Sequence, residues 1–194
     1  MPDSPRWRRM FESVEAGHHI GLFYSDLRTA VKAAREYALA GLEAGDFVCL
    51  VGPAEEAETW CPLTTEVDER IRRGELPDRF GAVFFPRTEI ASEDGRLRIR
   101  AFLDKVSRLA ALRDSRNLRV FGHLASPLWV GGEEEMPVAA ESAVNESGDS
   151  SFLCLYDISR VRSSEAGVLR ELMRLHDRTI TQKGPNRLVV DLVP

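Results

Sequence analysis

Cysteine is scarce in this chain. Cys49, Cys61 and Cys154 are odd in number, far apart and form no C-x-x-C pair. Neither a disulfide framework nor a zinc cluster is indicated, and a reducing, cytoplasmic setting is expected. Long apolar runs are also missing. The longest, such as Phe47 to Gly52, are strand-sized, too short to span a bilayer. At the amino end Arg6, Trp7, Arg8 and Arg9 run straight into Glu12 and Glu15, which leaves no apolar core for a secretory signal. Positive charge is in deficit, with 26 basic against 31 acidic residues and a net charge of −5. No direct contact with nucleic acid is therefore expected, since a general binder needs a basic face. Arg96, Arg98 and Arg100 sit among acidic neighbours and do not supply one.

Several catalytic signatures are absent. No G-x-G-x-x-G follows an apolar run and no G-x-S-x-G elbow occurs, so the dinucleotide fingerprint and the serine-hydrolase nucleophile are both missing. After the second predicted strand, where a phosphate loop would fit, stand Gly52-Pro53-Ala54-Glu55-Glu56-Ala57-Glu58-Thr59. Such a loop needs converging backbone N–H groups, several glycines and a lysine. Here one glycine remains, no lysine is present and three glutamates repel phosphate. The four histidines, His18, His19, His123 and His176, show no metal-ligand spacing. Adjacent strand residues point to opposite faces, which keeps His18 and His19 off one ion. A set of His19, His123 and a carboxylate is the combination left open; no metal, no cofactor and no catalytic residue is expected.

What is present is alternation. The 194 residues, 43% apolar and 29% charged, suit one folded domain. Apolar runs predict strands over 18–24, 47–51, 82–85, 118–124, 152–156 and 188–193. Helices are predicted between them. One follows Ser25-Asp26 as N-cap, with Leu27, Val31, Ala34, Tyr37, Ala38 and Leu42 at helical spacing and Gly45 as its stop. Another covers 54–73 with a break at Pro62. The stripe Leu97, Phe102, Val106, Leu109, Leu112 marks a third, residues 137–145 a fourth, and Ser163-Ser164 cap a fifth. Strands alternating with helices imply right-handed crossovers, hence an α/β fold with a mainly parallel sheet and helices on both faces.

Three segments carry a resemblance. They are His19-Ile20-Gly21-Leu22-Phe23-Tyr24, Gly41-Leu42-Glu43-Ala44-Gly45-Asp46, and Leu153-Cys154-Leu155-Tyr156-Asp157 with a later Leu175-His176; Glu141 and Asn145 precede the third. In order and spacing they resemble the MEDS domain, the sensory domain of methanogens and methylotrophs. The resemblance covers roughly 16–178, so residues 1–15 are read as an N-terminal extension and 16–194 as a single MEDS-like domain. It implies a RecA/KaiC-like fold with a degraded phosphate loop. It also implies sensing of small hydrocarbon derivatives, by a module that works with kinases or transcription regulators.

For each candidate site residue two readings stand side by side. His19 is a strand-end histidine bonding backbone, or a ligand contact. Tyr24 is a core tyrosine, or a phenol facing the crevice at the strand end. Cys154 and Tyr156 share a face of their strand while Asp157 points away; Cys154 is a small buried hydrophobe or a contact. Asp157 caps a turn or works at the strand end. Glu141 and Asn145, four apart, line one helix face, solvated or converging on one polar group. His176 is a cation on a helix carboxyl end, or part of the site. Trp129, in a loop of residues 125–136, and Phe23 pack, or wall an apolar pocket; the crevice above the strand ends is expected near Tyr24, His123 and Asp157.

The expectation is a non-catalytic, cytoplasmic sensory module without membrane attachment. It binds a small, weakly polar molecule at the strand ends and signals to a separate kinase, anti-sigma system or transcription regulator. The alternative is a constitutive interaction or homodimerisation module without ligand.

Overall fold

A computed structural model describes residues 6–90, 93–123, 141, 144, 150–159, 161, 165–184 and 187–192 of the 194. Chain order is α1 (Arg6–Glu12), β1 (His19–Tyr24), α2 (Leu27–Glu43), β2 (Phe47–Pro53), α3 (Ala57–Arg72), β3 (Phe80–Phe85), α4 (Arg87–Ile90), α5 (Glu93–Leu112), β4 (Leu118–Gly122), β5 (Ser151–Asp157), α6 (Ala166–Arg174), β6 (Arg178–Gln182) and β7 (Leu188–Leu192). The strands form a seven-stranded sheet in the order β3-β2-β4-β5-β1-β6-β7. All pairs are parallel except β6 with β7.

Alternate residues of each strand serve opposite faces. Ile20, Leu22, Tyr24, Leu50, Phe121, Leu153 and Leu155 join the larger core with α1, α2 and α3. Cys49, Val51, Val120 and Phe152 join Leu103, Val106 and Ala110 of α5 on the other side. Phe23 and Tyr156 meet Leu172 of α6 there. Burial on both faces explains why the strands read as unbroken apolar runs.

The start of α2 follows its sequence signal. Asp26 Oδ1 accepts the Arg28 N–H at 3.2 Å and Asp26 Oδ2 the Thr29 hydroxyl at 3.0 Å. At its end Gly45 adopts φ +85°, open to a residue without Cβ. α1 lies ahead of the MEDS-like segments, yet its Trp7, Met10 and Phe11 are buried in the larger core.

Three expectations are corrected. The break at Pro62 does not occur, because α3 runs continuously from Ala57 to Arg72. Proline removes one helical hydrogen bond, and the buried Trp60, Leu63 and Val67 around it hold the helix to the core. The fourth strand stops at Gly122 instead of extending to 124. A strand that the apolar pattern missed, β6, pairs with both β1 and β7. Its sequence Arg-Thr-Ile-Thr-Gln has one apolar residue; the β-branched run Thr179 to Thr181 was the available signal. The predicted cap Ser163-Ser164 and most of the 137–145 helix lie outside the described residues.

Candidate functional site

The sequence candidates separate into two groups on opposite faces of the sheet. The first lies at the carboxyl ends of β1 and β4. Tyr24 Oη and His123 Nε2 are 2.6 Å apart, and the rings stack with centroids at 5.6 Å. His123 Nδ1 is 2.6 Å from Glu56 Oε2, and Trp60 packs edge-on against the imidazole. Glu56 also meets Arg87 Nη2 at 3.0 Å. Burial pushes the Glu56 carboxyl up, but the His123 hydrogen bond and charge, with Arg87, outweigh it and hold the group below its ordinary value. The run of glutamates, read only as repelling phosphate, thus supplies a partner to His123 that sequence reasoning missed.

The loop after β1, also at this edge, is Ser25-Asp26 alone. Its two backbone N–H groups both donate to Gln182 Oε1 at 3.0 Å. These donors, together with an α2 N-terminus capped by Asp26, are the features that could have cradled an anion; the protein's own amide and carboxylate take them. Asp157, at the end of β5, follows its turn-capping reading: Oδ1 accepts from the Ser159 N–H at 2.9 Å and its hydroxyl at 2.6 Å.

The second group lies under α6, against the middle of the sheet. Parallel register sets Gly21 beside Cys154 and Phe23 beside Tyr156. His19, Cys154 and Tyr156 therefore project to one face, where all three reach the buried Glu141. His19 Nε2 is 2.9 Å from Glu141 Oε2 and 3.2 Å from Cys154 Sγ. Cys154 Sγ donates to the same oxygen at 3.3 Å, and the Tyr156 hydroxyl donates to Oε1. The Nε2 edge of the His19 ring thus meets side chains. Its main chain is pinned by Asp177, whose Oδ2 accepts the His19 N–H at 2.8 Å.

His176 completes this group. Its Nδ1 donates to the Leu172 carbonyl at 2.6 Å, and its ring centroid is 4.1 Å from that of His19. Gly21 makes the space: a Cβ there would lie 3.1 Å from the His176 ring carbons. The expected cation on the helix end is not found, because burial and then the charge of His19 lower the His176 pKa to about 4. Burial would raise the Glu141 carboxyl, but the His19 hydrogen bond, the charges of His176 and His19 and the Tyr156 bond hold it at about 2. Burial and then the Glu141 charge push Cys154 and Tyr156 well above their ordinary values. Cys154 is accordingly a half-buried thiol without the thiolate character that nucleophilic reactivity requires.

His19, Glu141, Cys154 and His176 each offer a ligand atom within 4.8 Å of the others. The alternative set of His19, His123 and a carboxylate does not form, since His123 belongs to the opposite face. Trp129 and Asn145 lie outside the described residues. Among the described residues, no helix is long and apolar enough to cross a membrane.

Comparison with known proteins agrees with the fold. A protein of Pyrococcus horikoshii OT3 superposes with a TM-score of 0.58 at 12% identity, over 95% of this chain and 90% of its own. A KaiC-like protein from the same archaeon gives 0.53 at 12% identity, over 92% and 80%. At such identity the likeness speaks to fold alone: an α/β, RecA/KaiC-like architecture. No curated protein matches the sequence. The family model MEDS, for "MEthanogen/methylotroph, DcmR Sensory domain", matches residues 18–177, and the chain belongs to that family of sensory domains.

Proposed function

We propose that the chain is a non-catalytic sensor that takes a small, weakly polar organic molecule at the carboxyl ends of β1, β4 and β5. The Tyr24–His123–Glu56 relay carries this reading. Ligands of open α/β sheets bind beyond the carboxyl ends of the strands, and recognition sites combine apolar walls with a few convergent polar groups. Tyr24 and His123 are such groups, and Trp60 is such a wall. The relay also leads outward. Glu56 pairs with Arg87, whose side chain is 46% exposed. A molecule that competes for the Tyr24 hydroxyl or the His123 nitrogen shifts the Glu56–Arg87 pair and alters the surface offered to a separate signalling protein. Residues 125–136 follow His123 closely in the sequence.

Thermal unfolding with a panel of short-chain alcohols, aldehydes and haloalkanes tests this. A binder present at a hundred times its Kd stabilises by about 2.7 kcal/mol, a shift of several degrees in Tm. That shift should vanish in His123→Phe and coincide with hydrogen-exchange protection of 125–136. A flat response across the panel rejects the ligand reading.

The second reading, an interaction module without ligand, draws on Leu97, Leu109 and Leu112 of α5, which are exposed. An apolar hollow of about 430 Å³ adjoins the latter two, between α5 and β2–β3. Self-association abolished by Leu112→Asp, with no response to the panel, would favour it.

A further inference from the structure

We propose that His19 Nε2, Glu141 Oε2, Cys154 Sγ and His176 Nε2 form a buried binding site for one divalent transition-metal ion of the zinc type. The inference rests on this cluster alone and is independent of the ligand reading at the strand ends.

Spacing is the first ground. Zinc bonds of about 2.0–2.3 Å in tetrahedral array set neighbouring ligand atoms about 3.3–3.7 Å apart. The contacts here run from 2.9 Å for His19–Glu141, through 3.2 and 3.3 Å for Cys154 with each, to 3.9 Å for His176–Glu141. They bracket the tetrahedral edge, so modest outward shifts of side chains admit an ion.

Orientation is the second. The Leu172 carbonyl only accepts, so Nδ1 of His176 carries the hydrogen. In the neutral ring the lone pair then lies on Nε2, which is buried and has no hydrogen-bond partner among the described residues. Metal-bound histidines are held in this way, with the far ring nitrogen donating to a carbonyl. A core built only for hydrogen bonds would leave that acceptor idle and pay its desolvation without return.

Charge and ligand softness agree. Two imidazoles, a thiolate and a carboxylate form a mixed N/S/O set suited to zinc. Binding forms the metal–sulfur bond and breaks the Cys154 S–H bond, and the proton leaves to solvent. The ion's two positive charges then balance thiolate and carboxylate, so the buried site is neutral overall. Its four ligands come from β1, residue 141, β5 and the residue after α6's C-cap, positions too scattered for a sequence motif.

The test titrates Co²⁺ into chelator-treated full-length protein, then adds Zn²⁺. One ion per chain should bind, with a thiolate-to-cobalt charge-transfer band, tetrahedral visible absorption and bleaching by zinc. Cys154→Ser should lose the charge-transfer band, and His176→Gln should weaken zinc binding about a hundred-fold or more. Tyr24→Phe, on the other face, should leave both intact. If the cluster variants fail to fold, zinc protection of Cys154 in the wild type from alkylation, read by mass spectrometry, replaces them. No cobalt–thiolate band in folded wild-type protein, a band that survives Cys154→Ser, or unprotected Cys154 would each overturn the site.

Discussion

Tyr24 and His123 are 99 positions apart in the chain, yet Oη and Nε2 meet at 2.6 Å at the edge of the sheet. Neither β1 nor β4 makes this contact alone; it requires both strands to end at the same level with β5 between them.

The relay predicts an acid-sensitive step. Glu56 titrates below its ordinary 4.5 in the folded chain. As pH falls past that value the unfolded chain takes up a proton that the folded one refuses. The contribution is thus whole above the ordinary value and lost as pH falls through the folded one. His123→Phe should move the Glu56 carboxyl upward by NMR titration. As pH falls below the ordinary 4.5, its urea midpoint should fall less than the wild-type midpoint.

Asp46 and Arg119 predict a large stability effect. Asp46 Oδ2 accepts from Arg119 Nε at 2.5 Å, and the side chains are 2% and 1% exposed. Arg119 Nη1 also donates to the Phe11 carbonyl at 2.7 Å. Asp46→Asn leaves the buried guanidinium without a counter-charge, and should cost about 3–5 kcal/mol in equilibrium unfolding. The double variant Asp46→Leu with Arg119→Met should recover much of that loss, since no charge then remains buried.

Gly122 cannot carry a side chain. A Cβ there would stand 1.6 Å from the Val51 carbonyl oxygen of the neighbouring strand. Gly122→Ala must separate β4 from β2 and displace His123. Destabilisation on the order of 4 kcal/mol is expected by denaturant titration, together with loss of the His123–Glu56 coupling in NMR.

α1 predicts that the stable unit begins before the segment matched by the family. Phe11 is fully buried and packs edge-on against Tyr37 at 5.3 Å. Phe11→Ala should cost about 3–5 kcal/mol, measured by thermal or urea unfolding. A chain starting at residue 16 should be markedly less stable than the full one.

Much of the fold was legible because its signals are local. Buried parallel strands read as apolar runs, and the stripe of α2 lies between the Asp26 cap and the Gly45 stop. The errors were local as well. β6 carries too few apolar residues to register, and Pro62 signalled a break that the packing of Trp60, Leu63 and Val67 overrides. Within the site, strand parity placed Cys154 and Tyr156 on one face.

By itself, the sequence determined the fold class, the strand-end positions of Tyr24 and Asp157, and the poverty of phosphate-loop chemistry, since each follows from residue type and near-neighbour spacing. Only the tertiary structure decided that Glu56 partners His123, that Gln182 occupies the amides after β1, and that His19, Glu141, Cys154 and His176 converge. Those contacts join residues far apart in the chain. Strand order, register and a glycine at position 21 bring them together, and no local pattern encodes that geometry.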